Sequence, residues 1–267
     1  MIHSDLMSSG ALLMPLAVAL VGFCMLWPIS LWLRDASLVD IAWGPGFAVQ
    51  LLVAATLADT TGPRALLLVS LVCLWSLRLG FVLIRRRIRE GREDARYTTI
   101  RQSWGAGFWW KSLFIVFILQ AFLQWLISIG PITGLAASAQ SLDSLAWFGA
   151  LIALGGLILE SVADQELDRF KSKSPSGALL TSGLRSYIRH PNYLGEMIFW
   201  AGIALICVGG GAWLGLISPV LIAICLLQVS GIPLLDERLE ATRPGYTDYR
   251  QRVPGLVPRL TSTKPSQ

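Results

Sequence analysis

Long apolar runs, each near the ~20 residues that cross a hydrocarbon core, leave this chain few folds other than a bundle of spanning helices. Soluble strands and helices do not need runs of that length. Hydrophobic residues make up 54% of the 267, and charged residues only 15%, against nearer a quarter in a soluble domain. The fold expected is an all-α, polytopic integral membrane protein with about seven transmembrane helices. Spans are predicted at about 11–33, 38–57, 65–85, 111–130, 145–164, 196–212 and 214–235. Gly209, Gly210 and Gly211 predict a tight hairpin between the last two. Residues 1–267 read as one membrane domain, whose half at about 145–260 carries most of the chemistry.

Arginine and lysine set the orientation, because cytoplasmic loops hold them in excess. They crowd after the third span (Arg85 to Arg101), after the fifth (Arg169, Lys171, Lys173, Arg185, Arg189) and in the tail. Pro131–Ser144 and the glycine hairpin have none. The N-terminus is therefore expected outside and the C-terminus in the cytoplasm, in a bacterial inner membrane, with the site's mouth facing the cytoplasm. Arg64 is the one dissenting charge. The net charge of +5 lies beside the spans, so it is read as a partner for membrane lipids and not for nucleic acid. Cys24, Cys73, Cys207 and Cys225 lie in apolar runs without metal-ligand spacing, so no metal site is expected.

Ionisable groups inside spans are costly and default to functional candidates. Asp40 and Arg78 stand in the second and third spans. Glu160, Asp164 and Asp168 follow one another at a spacing of four, which places them on one helix face near Arg169 and Lys171. The densest motif runs from Gly183 to Glu196. Pro191 suits a first helical turn, Asn192 and Glu196 then share a face, and Arg189 and His190 beside the helix start form a position for an anion. In the tail, Tyr246, Tyr249 and their arginines suit either a membrane-surface anchor or a lid over the pocket mouth.

The segments Asp40–Gly44, Trp75–Gly80, Glu93–Tyr97, Ser186–Glu196, Asp236–Leu239 and Pro244–Tyr249 together resemble the DUF1295 family, which is allied to the C-terminal domain of steroid 5α-reductases. The resemblance implies a helical barrel that binds NADPH and takes a hydrophobic small-molecule or lipid substrate from the membrane. It assigns cofactor contacts to Asn192 and Glu196, and the adenosine part to Asp164, flanked by Glu160 and Lys171. Arg78 matches a cofactor-site arginine late in the third span, and the phosphates fall to Arg86, Arg87 and Arg89. Tyr187, Arg189, His190 and Tyr193 complete the set. Where the steroid enzymes carry Gln-Glu in the second span and Tyr in the third, this chain has Val39–Asp40 and Trp75–Ser76. A protonated Asp40 or the Trp75 indole is thus the expected donor to a substrate carbonyl, and reduction of an activated C=C bond the expected reaction. Isoprenylcysteine and phospholipid methyltransferases are similar in the same C-terminal motifs. That likeness implies S-adenosylmethionine instead, held by His190, Tyr193 and Glu237. A non-enzymatic lipid-binding scaffold is the third reading.

Overall fold

The computed structural model describes residues 9–137, 140–175, 177–229 and 231–257. The described residues form helices and connecting turns, with no strand among them. Among the described residues, seven helical segments are long and apolar enough to cross a membrane: Gly10–Leu33, Leu38–Leu57, Pro63–Glu90, Ala95–Leu135, Ser144–Lys173, Pro191–Gly209 and Trp213–Thr242. The chain is a polytopic helical membrane protein.

The elements are α1 (Ser9–Leu33), α2 (Leu38–Leu57), α3 (Pro63–Glu90), α4 (Ala95–Trp104), α5 (Phe108–Ser112), α6 (Leu119–Leu135), α7 (Ser144–Lys173), α8 (Pro191–Gly209), α9 (Ile217–Ile224), α10 (Ile232–Thr242) and α11 (Tyr246–Arg252). A π-helical stretch, Leu113–Ile118, joins α5 to α6, and another, Cys225–Val229, follows α9. The second span and the glycine hairpin stand where the sequence put them. The third span is longer than expected. Arginine is a good helix former, so α3 runs on through Arg85, Arg86, Arg87 and Arg89 until Gly91 takes the left-handed conformation at φ 65°. Those four arginines are therefore on a helix and not in a loop. The sixth span starts at Pro191, five residues earlier than expected, because the polar motif forms its first turns.

Two compact units make up the fold: residues up to Ala150 with Ile203–Ser218, and Leu151–Gly202 with the described residues from Pro219 onward. In the first, α1, α2, α3 and α6 pack on one another. Gly44 and Gly80 bring α2 and α3 to backbone contact: a Cβ on Gly44 would lie 2.9 Å from the Ser76 carbonyl oxygen. Pro45 stands inside α2, and beside it the helix is braced by Gln124 of α6. Its Nε2 donates to the Trp43 carbonyl at 2.6 Å, while its Oε1 accepts from Gln50 at 2.7 Å. Outward, α3 shows Leu74, Leu77, Phe81, Ile84 and Ile88 at spacings of three and four, all exposed. An apolar stripe on the outer face has no use in water and suits acyl chains.

Arg64 is 0% exposed. Its guanidinium donates to the carbonyls of Ile206 (2.6 Å) and Ser141 (2.7 Å) and pairs with Asp143 at 3.2 Å. An internal clamp of this kind does not report on which side of the membrane it lies, which accounts for its dissent from the charge pattern. Asp143 also accepts the Ala146 N–H (2.8 Å) at the start of α7, and that bond, followed by Arg64, holds its carboxyl below the usual range.

In the second unit α7 and α8 touch at Gly156 and Gly195. A Cβ on Gly156 would sit 2.4 Å from the Phe199 nitrogen, and one on Gly195 would sit 2.6 Å from that of Glu160. The loop ahead of α8 is tied to α7 by two bonds. Arg185 donates to the Ala163 carbonyl (3.0 Å), and Glu166 accepts the Leu184 N–H (3.1 Å).

Candidate functional site

The described residues of each unit include a polar cluster near the candidate residues. In the first, Asp94 caps α4 by accepting the Arg96 N–H at 3.0 Å. That cap aims the two residues that follow at Asp40, in the first turn of α2. Arg96 Nη2 reaches Asp40 Oδ2 and the Tyr97 hydroxyl reaches Oδ1, both at 2.7 Å. Asp94 also binds the Arg96 Nε (3.2 Å) and Arg86 Nη2 (3.0 Å), and Arg86 pairs with Glu90 as well. Burial alone would raise the Asp94 carboxyl, but Arg96 and Arg86 outweigh it and hold the group below the usual carboxylate range. Two more pairs flank this set. Arg87 sets Nε (2.6 Å) and Nη2 on the one oxygen Oδ2 of buried Asp35. Arg101 binds Glu93, which also accepts the Ala36 N–H at 2.8 Å.

Several expectations change here. Asp40 stands at a span's end, where a carboxylate suits the helix dipole, and it accepts two hydrogen bonds instead of offering one. Its partner is Tyr97, which is not among the expected site residues. Trp75 is 0% exposed and packs edge-on to Phe47 at 5.5 Å, so its indole belongs to the core. The guanidiniums of Arg86 and Arg87, assigned to phosphates, hold carboxylates of their own unit. Arg89 is exposed near the end of α3, and Arg78 is half-buried further back.

In the second unit a single buried carboxylate gathers the donors. Asp236 of α10 meets His190 Nε2 at 2.9 Å, Arg189 Nη1 at 3.1 Å, the Tyr246 hydroxyl and, further off, Arg250 Nε at 3.8 Å. The tail folds back onto the same loop. The N–H groups of Arg189 and His190 donate to the carbonyls of Pro254 (2.9 Å) and Gly255 (3.1 Å), and the Tyr249 hydroxyl to that of Arg185 (2.6 Å). Burial, then the hydrogen bond to Asp236, pushes the Tyr246 phenol well up. Burial pushes that of Tyr249 up to about 12.

The anion expected beside Arg189 and His190 is thus the chain's own. It is Asp236; Glu237, given to S-adenosylmethionine by the methyltransferase likeness, is exposed one residue further along α10. Tyr246 and Tyr249 are buried, so they are tail anchors within the protein and not at a lipid surface. Tyr187 is 58% exposed and Lys171 is exposed. Tyr193 stacks on His190 with ring centres 5.7 Å apart. Asn192 is half-buried, and its amide makes no hydrogen bond among the described residues. Glu196, one turn on, shares its face; Glu160 is buried and Asp164 half-buried on α7.

Residues 26–253 match DUF1295, described as a protein family of unknown function, and so span both clusters. The chain belongs to the DUF1295 family. An uncharacterized protein of Schizosaccharomyces pombe is 26% identical to this member over 273 residues, covering 88% of this chain and 76% of the relative. No solved structure matches it.

Proposed function

We propose that this DUF1295 protein is an NADPH-dependent reductase of an activated C=C bond in a hydrophobic, steroid-like or other lipidic enone. The observation that carries the reading is the Tyr97–Asp40 pair with Arg96 bound to the same carboxylate. The resembled steroid reductases bind a substrate carbonyl with an acid and a tyrosine, and here a tyrosine stands beside Asp40 although the third span has none. With a proton added to the pair, Asp40 donates to the Tyr97 oxygen and the phenol's own hydrogen is released to the carbonyl. That hydrogen bond stabilises the enolate charge as it forms. Arg96 holds Asp40 in place and offsets its charge when the proton leaves. NADPH, when bound, supplies the hydride that forms the new bond at the β-carbon. The proton that completes the addition comes from solvent by way of Asp40, which is 29% exposed.

The residues at the start of α8 fit such a cofactor. The Asn192 amide lacks a hydrogen-bond partner among the described residues, and Arg189 Nε is buried without one. Occupation of Arg86 and Arg87 by carboxylates supports a second reading, because S-adenosylmethionine needs no phosphate clamp. Thermal stability of the protein in mild detergent, with NADPH, NADH or S-adenosylmethionine, separates the two. Selective stabilisation by NADPH is expected, about 2.7 kcal/mol at a hundredfold excess over Kd, and lost in Asn192→Ala. Stabilisation by S-adenosylmethionine alone would move the chain to the methyltransferases.

The orientation belongs to the same proposal: N-terminus outside, and the arginine end of α3 and the tail in the cytoplasm of a bacterial cell. Cysteine placed at exposed Ser144 should then react with an impermeant reagent applied from outside. Labelling only after the membrane is opened would reverse the topology.

A further inference from the structure

At its C-terminal end α7 changes character without changing face. Leu151, Ile158 and Val162 are exposed apolar residues, and Arg169 and Lys173 follow at spacings of seven and four. At 100° per residue these five positions lie within about 40° of one line along the helix. The face that meets acyl chains therefore runs directly into two cations at the level of a headgroup layer. These cations differ from the arginines paired in α3 and α4, since neither side chain makes a hydrogen bond or ion pair among the described residues.

They line a cavity of about 300 Å³ together with Glu166, Phe170, Leu180 and Ser182. Glu166 is fixed there by the Leu184 N–H at 3.1 Å, and Gly183 leaves it room, since a Cβ at that position would lie 2.6 Å from its Oε1. Two cations and one carboxylate leave a net charge of +1, which a phosphodiester's single negative charge balances. The hydroxyl of Ser182 and the carboxylate of Glu166 suit a headgroup that carries hydroxyls. Phe170 and Leu180 suit the glycerol end of the acyl chains.

We infer that this groove binds the headgroup of an anionic phospholipid of the phosphatidylglycerol type, with its chains along Leu151, Ile158 and Val162. Exposed cations at a helix C-terminus also complement the helix dipole. That role needs neither a cavity nor a carboxylate held in its wall. The inference does not depend on the reductase reading.

The test uses the full chain, delipidated in mild detergent. Dimyristoyl phosphatidylglycerol is titrated against it, with bound lipid counted by native mass spectrometry and the thermal midpoint followed in parallel. Saturable binding is expected, with a half-saturation at least tenfold weaker in the Arg169→Gln, Lys173→Gln double variant. Glu166→Gln should bind more tightly than wild type, a gain that misfolding cannot produce. Phosphatidylcholine of the same chain length should bind more weakly, and inorganic phosphate should leave the midpoint unmoved. Equal binding of phosphatidylglycerol by wild type and the double variant would overturn the site. Protection by inorganic phosphate would make it a free-phosphate site. Loss of NADPH protection in the double variant would make it a nucleotide site, and the lipid inference would fall with it.

Discussion

The two polar clusters solve one electrostatic problem in opposite ways. Around Asp40 and Asp94 the charges are distributed: five carboxylates face four arginines, in pairs that share partners across the ends of α2, α3 and α4. Around Asp236 they converge, with one buried acid holding His190, Arg189 and Tyr246. A distributed network loses little when one member goes, and it can afford a partly exposed acid such as Asp40. A convergent one is a keystone, and its loss strands buried donors. The second cluster fixes the tail; the first is the one to which the proposed function gives the chemistry.

Asp236→Ala should have the largest effect on stability. Removing one partner of a buried, paired charge costs about 3–5 kcal/mol, read as a large fall in the detergent melting midpoint. Asp40→Asn should cost clearly less, about 1 kcal/mol, because Arg96 keeps Asp94. A larger loss from Asp40→Asn than from Asp236→Ala would break the comparison. Asp94→Ala removes the cap of α4 and should cost about 1–2 kcal/mol. Its pH dependence sharpens the point. The Asp94 carboxyl is held low in the folded state, so its contribution is present above the ordinary carboxylate pKa and is lost as pH falls through that range. The stability difference between wild type and Asp94→Ala should therefore narrow in acid; a constant gap would deny the ion pairs their role. At the other end of the scale, folding keeps the Tyr249 phenol neutral up to about pH 12. An unfolded tyrosine ionises near pH 10, so wild type should lose stability between the two values and Tyr249→Phe should lose less. Glu237→Ala, at an exposed position, should change stability hardly at all.

Much of the fold could be read from apolar runs and breakers. Leu38 and Leu57 bound α2 as predicted, Pro191 opens α8, and the glycines at 209–211 close it. Charge does not end a helix: α3 runs past the predicted 85 to the stop signal at Gly91. The site was less legible. Asp236 and Glu237 are neighbours in sequence, and a 100° turn sends one to His190 and the other outward, which no local pattern announces. Tyr97 could have been found from its position just after a capping acid. Its partner lies 57 residues away, and that distance is set by packing.

The most direct test of the account follows NADPH consumption by the protein in lipid vesicles supplied with hydrophobic enones, comparing wild type with Tyr97→Phe. The account predicts turnover in wild type and a loss of about 10²–10³-fold in the variant, with its stabilisation by NADPH unchanged. Turnover by Tyr97→Phe at the wild-type rate would contradict it.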